Sequence, residues 1–186
     1  MRIIGGRLKG RNIVPPTGLK ARPTTDFAKE GLFNTLDNEF DFSQCRVLDL
    51  FSGTGSISYE FASRGAVDIY SVEMNPLHST YIKKNAAALG LKGIQVVRHN
   101  VFDFLEICKI DFDIIFADPP YAIEGLDGIP DRIFSVRIPS SEGGSSSILR
   151  EGGLFILEHP SDYSFVEHPH FVKEKKYGNV HFSFFR

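Results

Sequence analysis

Short apolar runs recur along this chain at intervals too wide for hairpins, and the stretches between them carry helix signals. Residues 46–50, 68–73, 94–98, 112–117 and 154–158 are rich in Val, Ile, Leu and Phe. Between the first two lies a helical stretch, 56–64, stopped by Gly65. After the second, Asn75-Pro76 supplies an N-cap and a first-turn proline for a helix that Gly90 closes. Strands separated by helices pair in parallel, so the alternation predicts a mostly parallel sheet with helices on both faces. An earlier helix is predicted from the N-cap candidates Thr24-Thr25-Asp26 to about Leu36, with Ala28, Leu32, Phe33 and Leu36 on one face. The chain ends differently. Residues 171–176 and 181–185 flank Tyr177-Gly178-Asn179-Val180 and predict a closing antiparallel hairpin. The Ser/Gly-rich stretch 139–147 falls where the alternation wants a helix, and its composition predicts a mobile loop. No internal repeat is present.

The 186 residues suit one domain with a substantial core. Residues 1–25 stand apart, with Gly, Pro and basic residues around two short apolar pieces, and predict a hairpin or extended arm ahead of a domain over 26–186. No apolar run reaches membrane-spanning length, and the opening Met1-Arg2-Ile3-Ile4-Gly5-Gly6 lacks the apolar core of a signal peptide. The two cysteines, Cys45 and Cys108, then read as reduced thiols of a cytoplasmic protein. The six histidines show no paired ligand spacing, so no metal is assigned. A net charge of −2 argues against tight general binding to nucleic acid. Its distribution says something different, because Arg2, Arg7, Lys9, Arg11, Lys20 and Arg22 all precede the first acidic residue, Asp26. Charge alone does not separate a phosphate-contacting arm from a solvated terminal face.

Val47-Leu48-Asp49-Leu50-Phe51-Ser52-Gly53-Thr54-Gly55-Ser56 is a strand running through a glycine-bearing turn into a helix. Such a turn after the first strand of an open α/β sheet lines the ligand crevice. No Gly-Lys-Ser/Thr follows, so it is not a phosphate loop, and Ser58 occupies the third position of a Gly-x-Gly-x-x-Gly motif. Asp49 would repel a pyrophosphate but suits the cationic amino-acid end of S-adenosylmethionine. Glu73 ends the second strand about twenty residues past the glycines, where an acidic side chain accepts ribose hydroxyls. Asn100 is placed to face an adenine, with Met74 and Val101 packing its ring, or the three are ordinary loop and core residues.

Asp118-Pro119-Pro120-Tyr121 follows the apolar run 112–117. The amino group of a nucleobase is a poor nucleophile because its lone pair is delocalised into the ring. A carboxylate and a nearby backbone carbonyl can accept its two N–H bonds and favour a pyramidal nitrogen. Prolines donate nothing and fix φ, so such acceptors stay in place, and an aromatic residue beyond them can stack on the base.

At this point the chain resembles the RsmD family, bacterial methyltransferases acting on the N2 of a guanine in 16S ribosomal RNA. The resemblance is carried by Met1-Arg2-Ile3-Ile4-Gly5-Gly6, Lys9-Gly10-Arg11, Arg22-Pro23-Thr24-Thr25-Asp26 and Lys29-Glu30-Gly31-Leu32-Phe33-Asn34. It continues through Asp49 to Gly55, Glu73, Asp118 to Tyr121, Tyr177-Gly178 and Phe182-Ser183-Phe184-Phe185. It implies a Rossmann-like class I methyltransferase fold of seven strands, with S-adenosylmethionine as cofactor. The cofactor residues would be Asp49, Phe51, Gly53, Gly55, Glu73, Met74, Asn100 and Val101. Asp118, Pro119, Pro120 and Tyr121 would hold the flipped guanine for direct methyl transfer. Arg7, Lys9, Arg11 and Arg22 would contact 16S rRNA or a small-subunit assembly particle. The chain departs from the family pattern at Phe27, where a charged residue is usual, and in the Ser/Gly stretch. The alternatives are an N6-adenine DNA methyltransferase, which normally needs extra sequence to read DNA, and a non-catalytic RNA-binding assembly factor on the same fold. A release-factor glutamine methyltransferase fits less well, since Asn is typical there at the position of Asp118.

Overall fold

The computed structural model describes residues 1–15, 19, 24–139 and 144–186. Helix α1 (Asp26–Leu36) starts at Thr25, whose hydroxyl accepts from Ala28 N at 3.1 Å. Then follow β1 (Arg46–Leu50), α2 (Ser56–Ser63), β2 (Asp68–Val72), α3 (Pro76–Ala88), β3 (Ile94–Val97), α4 (Val101–Ile107) and β4 (Phe112–Ala117). The second half holds α5 (Ile129–Ser135), β5 (Arg137–Pro139), β6 (Ser145–Ser147), β7 (Leu149–His159), β8 (Phe171–Tyr177) and β9 (Val180–Phe185). Seven strands form one sheet in the order β3-β2-β1-β4-β7-β9-β8. The first five are parallel, while β9 runs antiparallel to both its neighbours, β7 and β8.

Both faces are covered, as the near-continuous apolar strands require. Val47, Ile114, Phe116, Leu154 and Ile156 pack with Leu32 and Phe33 of α1, Phe61 of α2 and Ile82 of α3. Leu48, Leu50, Ile115, Phe155 and Leu157 face the other way, toward Phe104 of α4 and Ile129 and Ile133 of α5. Successive strand residues thus alternate between two cores.

Three expectations need correction. The Ser/Gly stretch is not simply a loop replacing a helix: the helix is α5, just ahead of it, and Arg137–Pro139 pairs antiparallel with Ser145–Ser147. Residues 140–143 of that stretch lie outside the described residues. Strand β7 begins at Leu149 rather than 154, because Leu149 pairs with Phe112 before a register shift that takes up Gly152 and Gly153. The loop alternative for Asn100 and Val101 gives way to helix α4, which follows β3 directly.

The N-terminal segment forms a hairpin, with Ile3 N donating to Arg11 O, Gly10 N to Ile3 O and Ile13 N to Met1 O. It lies on the domain with Ile3 and Ile13 buried. Glu60, fully buried on α2, accepts from Ile4 N at 2.9 Å and Gly5 N at 2.7 Å. The same carboxylate meets Lys29 Nζ at 3.5 Å and Arg64 Nε at 3.0 Å. Burial pushes the Lys29 ammonium down, and Glu60 opposes that shift. Removing one partner of a buried, hydrogen-bonded charge pair leaves the other uncompensated. Glu60→Ala is therefore expected to cost about 3–5 kcal/mol in urea unfolding and to expose residues 1–15 to limited proteolysis. Unchanged stability would show that the carboxylate is not what holds the segment.

Candidate active site

Register places the site. Leu50 pairs with both Val72 and Ala117, and Ala117 pairs with Leu157. One row of paired residues therefore crosses β2, β1, β4 and β7. The next residue on each strand emerges at the same sheet edge: Glu73, Phe51, Asp118 and Glu158. Adjacent strands lie about 4.8 Å apart, so Glu73 and Asp118, two strands apart, are separated by roughly 10 Å. A cavity of about 410 Å³ occupies this edge, lined among others by Phe51, Gly53, Glu73, Met74, Asp118 and Tyr121. Pro119, Pro120 and Glu158 complete its wall on the β4 and β7 side.

The turn after β1 is strained where it bounds the cavity. Phe51 has φ +59°, which a bulky side chain rarely adopts. Ser52 steadies it, its N–H donating to Val72 O at 3.0 Å and its hydroxyl to Asp49 O at 2.7 Å. Gly55 at φ +84° forms the N-cap of α2, and a Cβ there would meet the Tyr59 ring at 2.9 Å. Glu73 closes the turn. Its Oε2 accepts from Gly53 N at 2.8 Å and its Oε1 from Asn75 N at 2.7 Å. A carboxylate offers about four acceptor sites, so each oxygen keeps capacity for a ligand hydroxyl.

Asp49 is almost wholly buried, and its Oδ2 accepts from Ser58 N at 3.1 Å and from the Ser58 hydroxyl. That hydroxyl also contacts Ser71 Oγ. Burial pushes the Asp49 carboxyl up to about 7, against the hydrogen bonds from Ser58. Asp49 lines a small recess behind the cavity together with Thr24, Phe51, Gly53 and Asp118. The serine in place of a third glycine thus holds the acid of the motif.

On the other side, Asp118 N reaches Leu50 O at 3.4 Å, and Pro120 O accepts from Ile123 N at 2.8 Å. The second proline shapes the turn beyond the acid. Sequence reading missed Glu158, which is nearly fully buried and accepts from Thr24 Oγ1 at 2.8 Å. Tyr121 Oη approaches the same carboxylate at 3.5 Å. The available signal was its position, a carboxylate at the carboxyl end of an apolar strand, as for Glu73. His78, also on the cavity wall, lies 3.9 Å from Glu73.

Asn100 and Val101 stand directly after β3, at the start of α4. The Asn100 carboxamide caps α4, accepting from Phe102 N at 2.8 Å, and Val101 is buried in the core against that helix. Neither lines the cavity, because β3 ends one strand beyond Glu73 and α4 starts at once. Met74 does line it and is exposed. Arg7, Lys9 and Arg11 are exposed on the hairpin, with Arg7 Nη2 donating to Gly90 O at 3.1 Å, while Arg22 lies outside the described residues. Cys45 and Cys108 are buried free thiols. Tertiary structure also joins His159, Glu174 and His181, whose ligand atoms lie within 4.8 Å of one another. Their polar atoms are engaged: His159 bonds Pro160 O and Ser183 Oγ, and His181 Nδ1 sits 2.7 Å from Glu174. Among the described residues no helix is long and apolar enough to cross a membrane.

Known proteins resemble this chain in sequence and in fold. Over 121 residues the chain is 38% identical to the ribosomal RNA small subunit methyltransferase D of Escherichia coli K12. That match spans 65% of this chain and 60% of the relative's length. The structure of a hypothetical protein from Thermus thermophilus superposes with a TM-score of 0.83 at 28% identity, covering 100% of this chain and 99% of that one. A precorrin-6y C5,15-methyltransferase from Geobacter metallireducens GS-15 shares the fold alone, with a TM-score of 0.62 at 17% identity over 93% of this chain and 92% of its own. The family described as conserved hypothetical protein 95 matches residues 1–186. The fold is that of class I methyltransferases, and the chain belongs to the conserved hypothetical protein 95 family, the RsmD family that its motifs resemble.

Proposed function

We propose that this protein is an S-adenosylmethionine-dependent methyltransferase that modifies the exocyclic N2 of a guanine in small-subunit ribosomal RNA. One observation carries the reading: Glu73 and Asp118 face a single cavity from strands two apart. Its volume of about 410 Å³ falls in the range of small-ligand pockets. The name of the E. coli relative, a small-subunit ribosomal RNA methyltransferase, supports the substrate class.

The residues present fit the cofactor. Glu73 is held by two backbone N–H groups and keeps acceptor capacity for a ribose diol. Met74 offers an apolar surface to the adenine, and Asp49 in the adjoining recess favours a cationic amino-acid end. A cation near Asp49 would hold its carboxyl ionised against the burial that pushes it up. Bound there, S-adenosylmethionine supplies an activated sulfonium methyl group.

The chain's own residues then act on the acceptor. The Asp118 carboxylate and the Pro119 carbonyl accept the two N–H bonds of the guanine amine and orient its lone pair. Tyr121 packs on the ring. The acceleration comes from positioning and from hydrogen bonds that strengthen as the nitrogen pyramidalises. The guanine must leave its stack to reach this edge, as for other enzymes acting on base atoms. The segment before residue 26 serves as an RNA-contacting arm, with Arg7, Lys9 and Arg11 on its exposed side and Arg22 following in sequence. The reaction belongs in the cytoplasm, on 16S rRNA or a small-subunit assembly particle.

Glu73→Ala should weaken S-adenosylmethionine binding, measured by calorimetry, by about 1–3 kcal/mol through lost charged hydrogen bonds. An unaltered affinity would remove Glu73 from the cofactor site. Asp118→Ala should abolish methylation of rRNA from a strain lacking the gene, read by mass spectrometry, while cofactor affinity stays within about threefold. Near wild-type turnover in that variant would end the amine-clamp mechanism. Neutralising Arg7, Lys9 and Arg11 together should weaken RNA binding and reduce the slope of log affinity against log salt by up to about 2–3. The same slope in the triple variant would mark the arm as a solvated face.

A further inference from the structure

Phe27 is 69% exposed in the first turn of α1. Single exposed aromatic side chains are common, but this ring is fixed in place. Tyr177 packs against it edge-on, with centroids 5.4 Å apart and planes at 81°. Tyr177 in turn rests on the buried Phe182 at 5.9 Å, and Phe182 on the buried Phe116 at 6.2 Å. Gly31 makes room for this ladder, because a Cβ there would lie 2.2 Å from Tyr177 ring atoms. The series runs from Phe116, two residues before Asp118, to a ring presented at the surface.

Its location adjoins the proposed active site. Thr24 donates to Glu158 and lines the recess that Asp118 also lines. Phe27 follows three residues later, within about 11 Å of chain reach. It therefore borders the site on the β7 side, away from Glu73 and Met74. Beside it in sequence, Asp26 pairs with Arg2, and next to Tyr177, Lys176 pairs with Glu174. The exposed ring offers a π-face to a base and no cation to a phosphate.

We propose that Phe27, held by Tyr177, stacks on an unpaired base of the RNA beside the target guanine. This rests on the methyltransferase reading above. Drawing one base out of a stack uncovers the face of its neighbour, and an aromatic ring at the rim covers that face whatever the neighbouring base is.

The test uses small-subunit particles isolated from a strain deleted for the gene. Phe27→Ala should raise KM for these particles by about five- to 150-fold, as expected for loss of one base stack. Its kcat should stay within about twofold of wild type and its S-adenosylmethionine affinity should be unchanged. Phe27→Trp should retain the wild-type KM, whereas Phe27→Leu should behave like the alanine variant. A wild-type KM in Phe27→Ala or in Phe27→Leu, with an active parent enzyme, overturns the stacking role and leaves the methyltransferase reading standing. A parent enzyme that binds the particles but transfers no methyl group overturns both.

Discussion

The parallel register of β1 between β2 and β4 is the constraint on which the site depends. Three strands end at one level because Leu50 pairs with Val72 on one side and Ala117 on the other. Parallel strands need crossover connections, so segments far apart in sequence, 49–55, 73–75 and 118–121, must all emerge at the same edge. The strained turn at Phe51 borders the cavity that Glu73 and Asp118 also line. The cavity has Glu73 on its β2 side and Asp118 and Glu158 on its β4 and β7 side.

Several buried acids are costly in isolation, and each is compensated locally. Glu60 has two backbone N–H groups and two cations around it. Asp49 accepts hydrogen bonds from the neutral Ser58 donors, and burial pushes its carboxyl up against them. The difference is functional in consequence. Glu60 is satisfied within the fold and ties the N-terminal hairpin to α2, the helix that follows the glycine turn. Asp49 is satisfied in part, and under the proposed function a cation brought by the cofactor would complete its partners. The family's opening motif and its glycine turn are thereby joined through one helix.

Glu158 extends the same edge by one strand. Through Thr24 it anchors the start of α1, and Phe27 projects from that helix while resting on the C-terminal hairpin through Tyr177. The antiparallel pair β8 and β9 therefore does more than close the sheet. It brings the far end of the chain against α1.

The sequence by itself determined the strand and helix alternation, the closing hairpin and the acids at strand ends. These are local signals: apolar runs, caps such as Thr25 and Asn75, and glycines at turns act within a few residues. Asp49, Glu73 and Asp118 were legible for the same reason, since a carboxylate in or directly after an apolar strand of such a sheet lies at or near its ligand edge. Asn100 was legible as a polar residue after the third strand but not as the cap of α4, because capping a short helix and facing a ligand require the same kind of side chain. Only the tertiary structure decided that Val101 is core, that Ser145–Ser147 is a strand, and that Glu158 belongs to the cavity wall. It also decided that Glu60 holds the opening segment and that His159 meets His181. Those outcomes depend on which strands become neighbours and in what register. That choice is made by packing across the whole sheet and leaves no mark in any one stretch of residues.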